Sequence, residues 1–136
     1  MRKISVSRKQ GFLSQVPAIP VIVIDDAAPA APLAQALVAG GLKVLEITLR
    51  TPAALAAIRE MRDAVPDAVV GAGTVLDERQ LEQAVRAGSQ FIVSPGFTPN
   101  LARAAGEHGV PLLPGAVTPT EVLAARDAGI TTLKFF

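Results

Sequence analysis

The feature that most constrains the fold of this chain is a repeat in which a short apolar segment precedes an alanine-rich amphipathic stretch. The apolar segments begin about every two dozen residues and predict strands at 19–24, 43–49, 68–72, 90–94, 110–113 and 131–136. The intervening stretches predict helices at 28–39, 52–64, 77–87, 98–107 and 118–128, with a shorter helix around 7–15. Because strand and helix alternate, the sequence predicts an α/β fold with a parallel sheet.

Helix start signals agree with this division of the chain. A threonine that can cap a helix precedes a proline suited to the first turn at Thr51-Pro52, Thr98-Pro99 and Thr118-Pro119. Three of the predicted helices therefore begin with a recognisable cap.

Two architectures satisfy the alternation, a doubly wound sheet and a (β/α)₈ barrel. No glycine-rich dinucleotide loop follows the first predicted strand, which ends in Asp25-Asp26. Polar groups instead follow several different strands, as in a barrel. A complete barrel needs eight units and the sequence offers six strands. We therefore predict one domain, residues 1–136, that forms an incomplete TIM barrel lacking the last two βα units.

Composition excludes several classes of function. Thirteen basic and twelve acidic residues form no basic stripe, so we expect no nucleic-acid partner. Mean hydropathy is +0.41, but no apolar run has the length of a membrane span and no signal peptide is expected. Without cysteine and with His108 as the single histidine, the chain offers no thiolate and no histidine cluster. We expect a cytoplasmic protein without metal or cofactor, whose chemistry depends on carboxylate, lysine, arginine and hydroxyl groups.

The predicted strand 43–49 carries polar side chains on one face. Alternation directs Glu46, Thr48 and, just past the strand, Arg50 towards the barrel interior, while Leu45 and Ile47 face the helices. Two interpretations stay open from this strand alone. The polar side chains lead to a site at the mouth of the barrel, or Glu46 and Arg50 form an internal ion pair that only satisfies the interior.

Turn motifs follow three other predicted strands. In Gly71-Ala72-Gly73-Thr74 the glycines allow close backbone approach, and Thr74 can cap the next helix or bind a substrate oxygen. Ser94-Pro95-Gly96 and Leu113-Pro114-Gly115 place backbone groups at the same edge. Taken singly, capping and ordinary turn geometry are the favoured interpretations.

Lys134 is the only charged residue of the apolar segment 131–136. Taken alone, it is interpreted most simply as a lysine that extends into water. It shares a face with Thr132, however, and an inward Thr132 would place the amine and the Glu46 carboxylate inside the same barrel. A desolvated amine can condense with a ketone, and a nearby carboxylate can move the protons of carbinolamine dehydration and carbon–carbon cleavage. The pair predicts metal-free class I aldol chemistry.

The motifs resemble those of the 2-keto-3-deoxy-6-phosphogluconate (KDPG) and 4-hydroxy-2-oxoglutarate aldolases over roughly residues 11–136. The matching segments are 20–23, 36–41, 44–51, 70–76, 94–96, 113–115 and 133–136. The resemblance implies that Lys134 forms the Schiff base and Glu46 transfers protons. It also implies that Arg50 and Thr74 hold the pyruvoyl carboxylate and that Pro95 lines the site.

The same resemblance implies a lyase that reversibly cleaves KDPG to pyruvate and glyceraldehyde 3-phosphate, the last step of the Entner–Doudoroff route, in a homotrimer. The family continues past the lysine strand for about two βα units whose loops bind the substrate phosphate, so we expect a shortened form of such an aldolase. Two alternatives stay open. One is a non-catalytic partial barrel that needs a complementing fragment or self-association, and the other is a related pyruvate-dependent aldolase with a different aldehyde.

Overall fold

The computed structural model describes residues 11–136, in which five helices alternate with five short parallel strands. The strands are β1 (Val21–Ile22), β2 (Val44–Thr48), β3 (Val69–Gly73), β4 (Ile92–Ser94) and β5 (Leu112–Pro114). The helices are α1 (Ala30–Ala39), α2 (Ala54–Ala64), α3 (Glu78–Arg86), α4 (Pro99–His108) and α5 (Pro119–Asp127). A 3₁₀ helix, Gly11–Gln15, stands where a helix was predicted around 7–15, and residues 7–10 lie outside the described residues.

The strand order identifies the architecture. The strands follow one another across the sheet in the order β1-β2-β3-β4-β5, and each pair is parallel. A doubly wound sheet reverses its strand order at a switch point, whereas a barrel adds each strand beside the previous one. The sequential order therefore confirms the prediction of an incomplete (β/α)₈ barrel.

The sixth predicted strand, 131–136, is the largest departure from the expected elements. It is represented by a single parallel bridge between Gly115 and Lys134. The backbone N–H of Lys134 donates to the Pro114 carbonyl at 2.9 Å, and the Lys134 carbonyl accepts from the Ala116 N–H at 3.0 Å. The prediction of a regular strand is wrong here, because within residues 11–136 this segment pairs on one side only and its ladder stops at one bridge.

The two faces of the sheet bury separate hydrophobic clusters. Leu45 and Ile47 are fully buried in the larger cluster, between the sheet and the helices. Val44, Phe91 and Val93 form a smaller cluster on the opposite face. The predicted alternation of β2 is therefore confirmed, and the smaller cluster forms the floor of the barrel interior.

Two of the three threonine caps are confirmed. The Thr98 hydroxyl accepts from the Leu101 N–H at 3.2 Å, and the Thr118 hydroxyl caps α5. The prediction that Thr51 caps a helix is wrong. The Thr51 hydroxyl donates instead to the carbonyl of Ile24, and α2 begins only at Ala54. Thr51 therefore ties the end of β2 to the chain that follows β1.

Glu121 completes a capping box at the start of α5. Its carboxylate accepts from the N–H groups of Val117 at 2.8 Å and Thr118 at 3.0 Å, and these hydrogen bonds hold the pKa of Glu121 below its ordinary value of 4.5. A carboxylate with a lowered pKa stabilises the folded state above its unfolded pKa. This contribution disappears as the pH falls through the lower, folded pKa.

We expect the difference in unfolding free energy between the parent chain and Glu121→Gln to be constant near neutral pH. It should shrink as the pH falls below 4.5, where the unfolded-state carboxyl begins to bind a proton. Urea denaturation at a series of pH values measures the difference. Glu60→Gln, at an exposed position of α2, controls for a general change in charge. A difference that does not vary with pH would contradict the prediction.

Candidate active site

Glu46 lies in the middle of β2 and points into the barrel interior. Its side chain is 5% exposed. Its backbone N–H donates to the Pro20 carbonyl at 3.0 Å, and in the sheet it pairs with Gly71 of β3. With a neighbouring segment on each side, the backbone of Glu46 is held rigidly. A buried carboxylate at such a position is costly unless a cation or hydrogen-bond donors compensate it.

Lys134 provides that compensation. Its Nζ lies 3.3 Å from Oε2 and 3.4 Å from Oε1 of Glu46. The lysine side chain is 27% exposed, and its Nζ lies 5.3 Å from the centroid of the Phe136 ring. The amine therefore contacts both a buried carboxylate and an aromatic face, while the lysine side chain is partly exposed.

This arrangement rules out the internal Glu46–Arg50 ion pair that the sequence left open. Arg50 is exposed two residues after the end of β2, and the ion-pair partner found for Glu46 in the described part of the chain is Lys134. Lys134 is mostly buried and directed at the carboxylate, so it does not simply extend into water. An amine next to a carboxylate can act as a nucleophile while the carboxylate moves its protons.

Thr74 adopts an unusual backbone conformation after β3. Its φ is +56°, in the left-handed region that β-branched residues rarely occupy. The interpretation of Thr74 as a helix cap is wrong, because Asp77 caps α3 by accepting from the Gln80 N–H at 2.7 Å. Backbone strain of this kind concentrates at functional sites.

Pro95 lies in an exposed turn after β4. The Ser94 hydroxyl donates to the Gly96 carbonyl at 2.8 Å and closes this turn. A Cβ on Gly115 would lie only 2.1 Å from the Pro95 carbonyl oxygen, so the turn packs directly on the segment that bridges to Lys134. The Pro95 turn and the lysine segment are thus neighbours.

The five predicted site residues differ in how closely the structure brings them together. Lys134 and Glu46 are in contact. Arg50, Thr74 and Pro95 each follow the carboxyl end of a strand, and in a parallel sheet these ends meet at one edge. Arg50, Thr74 and Pro95 therefore lie at the same edge of the sheet, and the Lys134–Glu46 pair lies inside the barrel.

Two neighbours of the pair were not predicted as site residues. Phe136 stands beside the amine, and its position two residues after Lys134 on the same strand face was the available signal. Gly73 stands against the Glu46 carboxylate. That contact depends on how β2 and β3 are aligned, which local sequence does not reveal.

Two further observations concern the described part of the chain. None of its helices has the length and apolar character of a membrane span. Nowhere in residues 11–136 do three histidine, aspartate or glutamate side chains cluster as potential metal ligands.

Comparison with known proteins identifies relatives of the whole described region. The family model for KDPG and KHG aldolase matches residues 10–136. The KHG/KDPG aldolase of Escherichia coli K12 is 48% identical over 127 residues, which are 93% of this chain and 60% of the relative. The 2-dehydro-3-deoxy-phosphogluconate aldolase of Zymomonas mobilis is 53% identical over 120 residues, 88% of this chain and 57% of the relative. This chain thus spans about 60% of the length of the curated relatives it matches.

Solved structures agree with the sequence matches. The crystal structure of the Zymomonas mobilis KDPG aldolase superposes with a TM-score of 0.86 at 52% identity and covers 90% of this chain and 59% of that one. The Legionella pneumophila KDPG aldolase, solved with pyruvate captured as a covalent carbinolamine intermediate, gives a TM-score of 0.89 at 41% identity. That match covers 94% of this chain and 62% of the other. With a parallel barrel sheet, a lysine–glutamate ion pair in its interior and these relatives, the chain belongs to the KDPG and KHG aldolase family.

Proposed function

We propose that this chain carries the Schiff-base chemistry of a class I aldolase that reversibly cleaves 2-dehydro-3-deoxy-6-phosphogluconate to pyruvate and glyceraldehyde 3-phosphate. The observation that carries the proposal is the 3.3 Å approach of Lys134 Nζ to Glu46 Oε2 inside the barrel. An amine that is to attack a ketone needs a group that accepts its proton and returns it to the departing oxygen. Glu46 supplies that group at hydrogen-bond distance.

In the proposed mechanism the ion pair first becomes a neutral pair. The proton of the Lys134 ammonium moves to Glu46, which leaves a free amine and a carboxylic acid side by side. The amine attacks the keto carbon C2 of the substrate and forms a carbinolamine. Glu46 protonates its hydroxyl group, water leaves, and the C=N bond of an iminium forms.

The iminium then accepts the electrons of the broken bond. The Glu46 carboxylate removes the proton of the C4 hydroxyl, the C3–C4 bond breaks, and the electron pair moves to the nitrogen as an enamine forms. The aldehyde departs, and Glu46 returns the proton to C3. Water then adds to the iminium, releases pyruvate and restores the amine.

The remaining predicted residues are assigned to binding. Arg50 and Thr74 hold the carboxylate of the pyruvoyl group, since a guanidinium and a hydroxyl both donate hydrogen bonds to a carboxylate. Pro95 lines the site beside them. Their common location after the strand ends supports this assignment.

The proposal extends to the substrate range and the setting of the protein. The names of the relatives support 4-hydroxy-2-oxoglutarate as a second substrate. We include in the proposal a partial TIM-barrel aldolase domain over residues 1–136, a cytoplasmic location and a homotrimeric assembly. The absence of cysteine from the sequence fits the cytoplasmic location.

Trapping with borohydride tests the proposal directly. The 136-residue chain is incubated with radiolabelled pyruvate and reduced, and the labelled peptide is identified by mass spectrometry. We expect one label per chain, on the peptide that contains Lys134. Pyruvate release from KDPG, compared with release from 4-hydroxy-2-oxoglutarate and other aldol substrates, identifies the aldehyde. A folded chain that takes up no label would contradict the assignment.

A second candidate function is a non-catalytic partial barrel that binds a complementing fragment or a second copy. Exposed apolar side chains favour it, since Val21 and Val23 are about half exposed and Phe135 is 81% exposed. Exposed apolar patches and strand edges promote association. Size-exclusion chromatography with amide exchange distinguishes the two functions. A compact monomer with a protected lysine segment would argue against this candidate, and an aggregate with rapid exchange there would support it.

A further inference from the structure

We propose that Gly73 is a positioning residue for the aldol reaction, because the missing side chain at this position makes room for the Glu46 carboxylate beside Lys134. The inference rests on the proposed function for its kinetic consequence. The contact between Gly73 and Glu46 can be tested without any activity.

The Glu46 carboxylate occupies the space that a side chain at position 73 would fill. A Cβ built on Gly73 would lie 2.1 Å from Oε1, 2.8 Å from Cδ and 2.9 Å from Cγ of Glu46. All three distances are shorter than an ordinary van der Waals contact between such atoms, about 3.5 Å. The carboxylate therefore lies directly on the backbone of β3.

The backbone at Gly73 has little freedom to move away. On one side, its carbonyl accepts from the Leu49 N–H at 2.8 Å. On the other, Ala72 and Val75 donate to carbonyls of Phe91 and Val93, each at 3.1 Å. Because β3 is held by chain segments on both sides, an added methyl group would displace the glutamate side chain rather than the strand.

A small displacement is enough to separate the pair. The two Nζ–oxygen distances, 3.3 and 3.4 Å, are already near the outer limit of about 3.5 Å for a useful hydrogen bond. A carboxylate pushed away from Gly73 can no longer exchange protons efficiently with the amine. Lys134 keeps its own backbone anchors at Pro114 and Ala116, so an imine can still form, more slowly, because its formation also uses the proton of Glu46.

Gly71 provides a matched control on the same strand and the same face. A Cβ built there would lie 2.4 Å from two ring atoms of Phe91, and Glu46 atoms are not among its three nearest neighbours. Gly71→Ala and Gly73→Ala thus introduce the same methyl group two residues apart. Gly71→Ala perturbs the hydrophobic floor, and Gly73→Ala perturbs the Glu46 carboxylate.

The kinetic experiment separates imine formation from proton transfer in the 136-residue chain. Borohydride trapping measures the imine, and hydrogen–deuterium exchange at the pyruvate methyl, followed by NMR, measures proton transfer. The quantity compared is the rate of methyl exchange divided by the amount of imine that borohydride traps. For Gly73→Ala we expect this exchange per trapped imine to fall by ~10²-fold, at the low end of what a general acid–base group contributes. For Gly71→Ala we expect exchange per trapped imine to stay within about twofold of the parent.

A double-mutant cycle tests whether Gly73 acts through Glu46. In a Glu46→Gln background, adding Gly73→Ala should change exchange by less than about twofold, because the proton-transferring group is already lost. A further large loss in that background would contradict the inference. Methyl exchange at the parent rate in the single variant Gly73→Ala would also contradict the inference.

Stability gives a readout that does not depend on activity. Gly73→Ala should lower the urea midpoint in the parent background but not in a Glu46→Ala background, where the conflicting side chain is gone. Gly71→Ala should lower the urea midpoint equally in the parent and Glu46→Ala backgrounds. An equal effect of Gly73→Ala in both backgrounds would overturn the inference, even if the variant proved too unstable for kinetics. If the parent chain takes up no pyruvate, the proposed function fails, whereas this cycle still tests the contact.

Discussion

Lys134→Met is expected to abolish the trapping of pyruvate by borohydride. Methionine keeps the length and flexibility of the lysine side chain but has no nucleophilic nitrogen, so no imine can form. Reduction in the presence of radiolabelled pyruvate should then leave the chain at background radioactivity. The same variant should release no pyruvate from KDPG, since cleavage requires the iminium as an electron acceptor.

Lys43→Met is the matched control for this experiment. Lys43 is exposed just before β2, so its replacement removes a lysine without touching the pair. It should be labelled like the parent chain. Circular dichroism of Lys134→Met establishes that the variant is folded, which matters because the change leaves Glu46 buried without its cation. Label that persists in folded Lys134→Met would assign the Schiff base to another amine.

Glu46→Gln is expected to keep imine formation and to slow proton transfer. The amide has nearly the same shape as the carboxylate, but it neither accepts nor delivers a proton at neutral pH. Exchange of the pyruvate methyl hydrogens in D₂O should fall by ~10²–10⁴-fold, the range typical of a lost general acid–base group. Borohydride should still trap pyruvate on Lys134, more slowly, because carbinolamine dehydration also uses the proton of Glu46.

The position of Glu82 allows a control in which an exposed carboxylate is neutralised. Glu82 lies on α3 and pairs with Arg86 at the surface. Glu82→Gln should exchange at the parent rate. If Glu46→Gln also exchanged at the parent rate, Glu46 would have no part in the mechanism.

Much of the fold could be predicted because it depends on local patterns. The alternation of Glu46 with Leu45 and Ile47 predicts which side chains enter the barrel, and the structure buries the two sets in the expected places. Thr98 and Thr118 mark helix starts because their hydroxyl groups bond within the next turn. Such contacts join residues a few positions apart, so the sequence contains the complete signal.

Other features depend on strand alignment and could not be predicted. Thr51 has the same local sequence as the other caps, but its hydroxyl bonds to Ile24 on a neighbouring segment. The left-handed backbone of Thr74 has no sequence signature, because this conformation normally selects glycine or asparagine. The contact between Gly73 and Glu46 requires the register of β2 against β3.

The bridge between Gly115 and Lys134 connects the chemistry to the folding of the chain. Lys134 and Glu46 are 88 residues apart in sequence, and the sheet that joins them contains β2, β3, β4, β5 and the bridging segment. Contacts of such long range form late, because the chain entropy of closing a large loop must first be overcome. In a partly folded chain Glu46 and Lys134 are apart, so the carboxylate cannot accept or return the protons of the amine. The lysine–carboxylate pair is thus completed only when the strands from β2 to β5 and the bridging segment are in place.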